Sequence, residues 1–167
     1  GAGGQVWGDI HLTATHAAGP FLVTYPNTNT VIWYGGESRV VTWDVANTDK
    51  APVNCKKVNI LLSTDNGFTY DFKLAEGVPN NGKCCIKVLD NVVDNLCRIR
   101  VEAADNVFFD LSNAAFKMRV AEKPGFSLCT PLSQQTLCLP NGSISVNVGS
   151  ILNFQQAVTL SVSGLPA

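Results

Sequence analysis

The sequence predicts an all-β protein, an antiparallel sandwich or barrel, and three observations carry that reading. Apolar residues recur with a period of two along most of the chain, the pattern of strands with one buried face. Those runs are rich in β-branched residues and are separated by clusters of Gly, Pro, Asn and Asp at roughly ten-residue spacing. No stretch shows the 3.6-residue period of an amphipathic helix.

In chain order, "VWGDIHLTAT" reads as one strand with no local partner, and "HAAGP", residues 16–20, as a linker. "SRVVTWDV" places Val41, Trp43 and Val45 on one face and Val40, Thr42 and Asp44 on the other. A strand over 57–63 places Val58, Ile60 and Leu62 together, and reverses into a strand over 68–74. "KCCIKVL" sets Cys84, Ile86 and Val88 against Cys85 and Lys87. "LCRIRVEA" alternates most cleanly, with Cys97, Ile99 and Val101 opposed to Arg98, Arg100 and Glu102. "PNTNT", "YGGES", "NTDKAP", "DNG", "PNNG" and "DNVVDN" supply the turns. After a second linker, "AEKPG", the runs "GSISVNV" and "AVTLSVSGLPA" alternate again, giving about three strands, too few to bury a sandwich core alone. The expected organisation is a terminal strand of a preceding module plus linker (1–18), a β-sandwich domain (19–120), and a linker with the first strands of a partial second β-sandwich (121–167).

Of 167 residues, 46% are apolar and only 15% charged, with a net charge of −1. That excludes a nucleic-acid binder, which needs a clustered basic surface. No run approaches the ~20 apolar residues of a membrane-spanning helix. The opening "GAGGQVWGD" lacks a signal peptide's basic end and apolar stretch, and the chain begins without Met, as an excised segment would.

The six cysteines, at 55, 84, 85, 97, 129 and 138, include no C-x-x-C, and His11 and His16 lie far from all of them, so no zinc pattern forms. An even cysteine set with low charge predicts an oxidising compartment, secreted or at the cell surface. Cys129 and Cys138 both follow the second linker and are expected to bridge each other. The other four allow three pairings. Cys84–Cys85 is strained, and parity turns Cys84 and Cys97 into the core, which favours Cys84–Cys97 with Cys55–Cys85.

"STDNGFTY" holds a carboxylate, a glycine and two hydroxyls in eight residues, as catalytic turns and metal loops do. Asp-Asn-Gly is also turn chemistry: Gly67 supplies positive φ and the Asp65 carboxylate can accept backbone N–H groups. The stretch resembles the Asp-box of sialidases and other β-proteins, with Ser63, Asp65, Gly67, Thr69 and Tyr70 in the matching places. The resemblance implies a folding device on a hairpin, remote from any catalytic centre. A calcium loop would want more oxygen ligands than this stretch supplies.

No H-E-x-x-H, G-x-S-x-G, phosphate loop or G-x-G-x-x-G is present, and no histidine is placed to serve a cysteine nucleophile. Glu37, Glu76 and Glu102 sit in turns or on polar faces, so no catalytic residue is named. The acidic turns carrying Asp90, Asp94, Asp105 and Asp110 are the calcium candidates, weighed against ordinary Asx turns; no other cofactor is implied. Asn141-Gly142-Ser143 fits the N-glycosylation pattern. Trp43 is assigned to the core, while Trp7, Trp33 and Tyr34 remain open to a carbohydrate patch.

"GPFLVTYPNTNTVIWYGGESRVVTWDVANTDKAPVNCKKVNILLSTDNGFTY", with "GVPNNG" and "RIRVEAADNVFFDLSNAAFKM", resembles a β-sandwich module of large secreted Bacteroidota proteins, over about residues 19–120. Many of those proteins carry a reprolysin-like zinc metalloprotease and a type IX secretion sorting domain. "DIHLTAT" resembles the last strand of a preceding module, and the stretch from Phe126 to Ala167 the first part of a following one. The resemblance implies an immunoglobulin- or fibronectin-III-like sandwich and no zinc ligand in this chain; Cys84, Cys85 and Cys97 depart from the module's pattern. The expected function is a non-catalytic extracellular structural or interaction module. The alternatives are a filament or adhesin subunit assembled head-to-tail by β-strand complementation, or an accessory domain of a secreted metalloprotease. Expected partners are neighbouring modules or identical subunits through strand pairing, carbohydrate or surface proteins.

Overall fold

A computed structural model of the chain describes residues 7–130 and 145–161. Over these the protein is all-β, with eleven strands numbered in chain order. One sheet runs β1 (Leu22–Tyr25), β3 (Ser38–Asp44), β6 (Lys83–Lys87). The second runs β2 (Ile32–Tyr34), β9 (Phe116–Arg119), β7 (Asp94–Ala103), β4 (Lys57–Ser63), β5 (Phe72–Pro79), with β8 (Phe109–Leu111) pairing with β7 beside β9. Every ladder is antiparallel except β2 on β9. The chain passes repeatedly from one sheet to the other, as in an immunoglobulin-like sandwich. No helix among the described residues is long and apolar enough to cross a membrane.

The core sits where the alternation places it. Val41 and Trp43 from β3 face Val58, Ile60 and Leu62 from β4 and Cys97, Ile99 and Val101 from β7, all buried. Trp33, assigned to no layer by the sequence, is fully buried against Phe116, with ring centroids 4.5 Å apart, and its indole N–H donates to Tyr25 Oη at 3.3 Å. The other core tryptophan, Trp43, donates to Asn80 Oδ1 at 2.9 Å.

The two poles of the sandwich carry different furniture. At one, β3 ends into the loop 45–56 and β7 ends into the loop 104–108, and residues 10–15 lie against Pro52, Val53 and Phe108. At the other, β4 runs into the Asp65 turn, which is tied to β7 by the Asn66 N–H on Leu96 O at 2.9 Å, and Gly35 and Gly36 approach Asp90.

Three expected strands shift. Residues 7–16 belong to no strand: a period-two pattern becomes a strand only with a ladder partner, and none of the described residues pairs with it. The strand after the Asp65 turn begins at Phe72, not 68, because Asp65 and Asp71 engage Thr69 and prolong the loop. Of the last alternating run, the described residues 157–161 are also in no strand.

The C-terminal segment forms a two-stranded sheet, β10 (Gly125–Cys129) and β11 (Asn147–Ile151). Its register puts Ser127, Cys129, Gly149 and Ile151 on one face, which packs on the outer side of β3 and β6. Ser127 Oγ accepts the Ser38 N–H at 2.6 Å. A Cβ at Gly149 would sit 2.5 Å from Ser38 Oγ and 3.0 Å from Ser38 N, so this approach requires glycine.

That docking overturns the expected cysteine pairings. Cys85 and Cys129 form a disulfide, with Cα atoms 6.0 Å apart, so neither Cys129–Cys138 nor Cys55–Cys85 exists; Cys138 lies outside the described residues. Parity turned Cys85 outward correctly, but the outward face is where β10 lands. Cys55 is buried at the far pole. Cys84 and Cys97 are free thiols on the inner faces of opposite sheets, filling core space instead of bridging it.

Candidate functional site

The Asp65 turn is the stretch with the look of a catalytic or metal loop, and its bonding decides what it does. Ser63, buried at the end of β4, donates its hydroxyl to Asp65 Oδ1 at 2.6 Å and accepts the N–H of Asp65 at 3.2 Å and of Gly67 at 2.8 Å. Asp65 Oδ1 accepts the Phe68 N–H at 3.0 Å, and Oδ2 accepts the Thr69 N–H at 2.9 Å and the Thr69 hydroxyl at 2.8 Å. Asn66 and Gly67 both take left-handed φ, 64° and 94°. A Cβ at Gly67 would meet Tyr70 Oη at 3.1 Å, so Tyr70 closes the underside of the turn. Both carboxylate oxygens are thus committed to the loop's own donors.

The hydroxyl of Ser63, then the donors of Thr69, hold the Asp65 carboxyl at about 2, below its ordinary 3.8. A folded-state value below the unfolded one contributes stability above the unfolded value that disappears as pH falls through the folded one. The thermal midpoint of wild type should therefore exceed that of Asp65→Asn above about pH 4 and converge on it towards about pH 2. Melting both by circular dichroism across this range checks it; a pH-independent gap would refute the assignment.

The calcium candidates do not converge. Asp90 pairs with Lys87 Nζ at 3.3 Å, and Asp94 Oδ1 accepts the Leu96 N–H at 2.6 Å. Asp110 Oδ2 accepts the Val23 N–H at 2.7 Å, tying β1 to β8, and Asp105 stands beside the Cys55 thiol. Asp90 and Asp94 lie at the Asp65 pole, Asp105 beyond the other end of β7. Among the described residues no group of three or more His, Cys, Asp or Glu is arranged to hold a metal ion. Glu37, Glu76 and Glu102 are ion-paired with Arg39, Lys73 and Arg100. His11 and His16 are exposed, and the Asn141 sequon lies outside the described residues. Trp33 is core, which removes it from a carbohydrate patch, whereas Trp7 is 84% exposed.

The free thiols are poor nucleophiles. Burial, then the Asp94 charge, pushes Cys97 up to about 12; burial, then Asp105, raises Cys55; burial raises Cys84. Under native conditions near neutral pH, iodoacetamide should leave Cys55 and Cys97 unmodified and reach both once the chain is unfolded; mass mapping of alkylated peptides reads this out.

Two features were not found from the sequence. The Arg100 guanidinium lies over Phe109, 4.2 Å from the ring centroid, and 5.5 Å from that of Tyr70, a cation held between aromatics on the outer face of the larger sheet. The second is the outer face of the β10–β11 sheet. Phe126, Leu128 and Val148 point away from the sandwich and are 44%, 48% and 50% exposed. A contiguous apolar face on an edge-stranded sheet is the kind of surface that takes a partner. No family model matches this chain, and no curated protein matches it.

Proposed function

We propose that this chain is a non-catalytic extracellular module, a structural and interaction unit of a secreted or cell-surface protein. The observation that carries the reading is the use of Asp65: the one motif with a catalytic look directs every carboxylate lone pair to the turn that holds it. The Cys85–Cys129 disulfide supports an oxidising compartment, since such bonds persist outside reducing cytosol. The resemblance of residues 19–120 to sandwich modules of large secreted Bacteroidota proteins agrees, and makes attachment to a catalytic domain outside this chain the second form of the same reading. Thiol trapping of the protein in its native host tests it. Recovery from the cell surface or medium with Cys85 linked to Cys129 is expected; recovery from cytosol with both thiols free would overturn it.

A further inference from the structure

The sequence holds three Asn-Gly pairs, at 66–67, 81–82 and 141–142, and the last lies outside the described residues. In such a pair the backbone nitrogen of the glycine can attack the side chain before it, because glycine puts no Cβ in the way. The nitrogen loses its proton to water and bonds to the asparagine Cγ, and ammonia leaves, giving a five-membered succinimide. Water then opens one of the two ring carbonyls. One opening gives aspartate. The other gives isoaspartate, in which the main chain runs through the former side chain and is one carbon longer. The reaction consumes only water and releases only ammonia.

The fold treats the two described pairs differently. In the Asp65 turn, the groups that must move are held. Asn66 Oδ1 accepts the Arg98 Nε–H at 2.9 Å, which pins the side-chain amide, and the Asn66 N–H donates to Leu96 O at 2.9 Å. The attacking nitrogen, that of Gly67, donates its proton to Ser63 Oγ at 2.8 Å. The Asp65 carboxylate, bonded to the same hydroxyl at 2.6 Å, opposes negative charge on that nitrogen. At the turn between β5 and β6 these restraints are missing. Asn81 is exposed, and its Oδ1 meets the Lys83 N–H only at 3.4 Å, beyond the usual hydrogen-bond range. The Gly82 N–H has no acceptor among the described residues. The charge of Lys83, the next residue, favours the deprotonated nitrogen.

Asn81 also lies where a longer main chain matters, because it sits between two anchors. The Asn80 N–H donates to Lys56 O at 2.9 Å, and its side chain bonds Trp43, Thr48 and Cys55. Gly82 O accepts the Trp43 N–H at 2.9 Å. An extra carbon between these anchors cannot leave both in register.

We infer that Asn81 is a site of spontaneous deamidation in the folded protein, that the fold shields Asn66 from the same reaction, and that the isoaspartyl product loosens the packing of Asn80 on Trp43 and loop 45–56.

Folded protein and protein unfolded in urea are aged side by side in mildly alkaline buffer. Tandem mass spectrometry of peptides cut at acid pH assigns each gain of one mass unit to its residue. Unfolded, Asn66 and Asn81 should convert at matching rates, being the same dipeptide. Folded, Asn66 should fall behind Asn81 by roughly tenfold, the factor that one hydrogen bond to a charged group supplies. Matching rates in the folded protein, a faster Asn66, or no conversion at Asn81 would overturn the inference. Brief thermolysin digestion of the aged, folded sample reads the consequence, since cleavage follows the population of opened chains. Surviving full-length chains should carry a lower ratio of isoaspartate to aspartate at position 81 than the sample before digestion. Asn81→Asp, which adds the charge without lengthening the main chain, should survive as wild type does. An unchanged ratio, or an Asn81→Asp chain cut as fast as the isoaspartyl form, would overturn the effect on Asn80.

Discussion

Replacing Asn80 with alanine is expected to lower the unfolding free energy by about 3 kcal/mol, by orphaning several buried polar groups at once. Asn80 is 5% exposed. Its Oδ1 accepts the Trp43 indole N–H at 2.9 Å, and its Nδ2 donates to Thr48 Oγ1 and to Cys55 O, both at 3.0 Å. Truncation leaves the indole N–H and the Cys55 carbonyl inside the protein without these partners, and a buried unsatisfied group costs about 1–3 kcal/mol. Trp43→Phe removes one orphan, so the Trp43→Phe, Asn80→Ala double variant should lose less than the sum of the singles. Urea unfolding of the four proteins, with an unchanged m-value, measures this. A loss below about 1 kcal/mol for Asn80→Ala would mean that the network does not hold the pole.

The same side chain shows where sequence reading stops. Trp43 was legible as core because a period of two leaves it no other face. Its indole N–H then demanded an acceptor, but nothing in "PNNG" distinguishes Asn80 from an ordinary turn asparagine; only the fold brings it to loop 45–56. The Asp65 turn was legible because the bonds of the Ser63 and Asp65 side chains are local, between residues at most four apart. The core faces of β3, β4 and β7 were legible for the same reason: periodicity is local information. The disulfide was not, because it depends on which surface the tail meets 44 residues away. Parity gave the direction of Cys85 but not the element that lies over it. Residues 7–16 make the complementary point: local propensity for a strand is present, and no described residue pairs with them to realise it.

Breaking the staple by Cys129→Ser should release the β10–β11 sheet while the sandwich stays folded. The bond joins residues 44 apart, and the chain-entropy model assigns a loop of that size about 4 kcal/mol. Among the described residues the seat also draws on a hydrogen bond from Ser38, the close approach of Gly149 and the burial of Ile151. A two-stranded sheet is marginal by itself in water, and this one also exposes Phe126, Leu128 and Val148, so docking hides only half of its apolar surface. Amides of β10 and β11 should therefore lose hydrogen-exchange protection by roughly a thousandfold, the equivalent of that free energy. Those of β4 and β7, bonded into the larger sheet around Ile60 and Ile99, should keep theirs. Cys85→Ser and reduction with dithiothreitol should reproduce the pattern. Equal losses in both groups of strands would show one cooperative unit and refute a separable tail. The staple fixes the β10–β11 sheet on the outer side of the sandwich, so a reducing environment should unseat that sheet while β4 and β7 keep their protection.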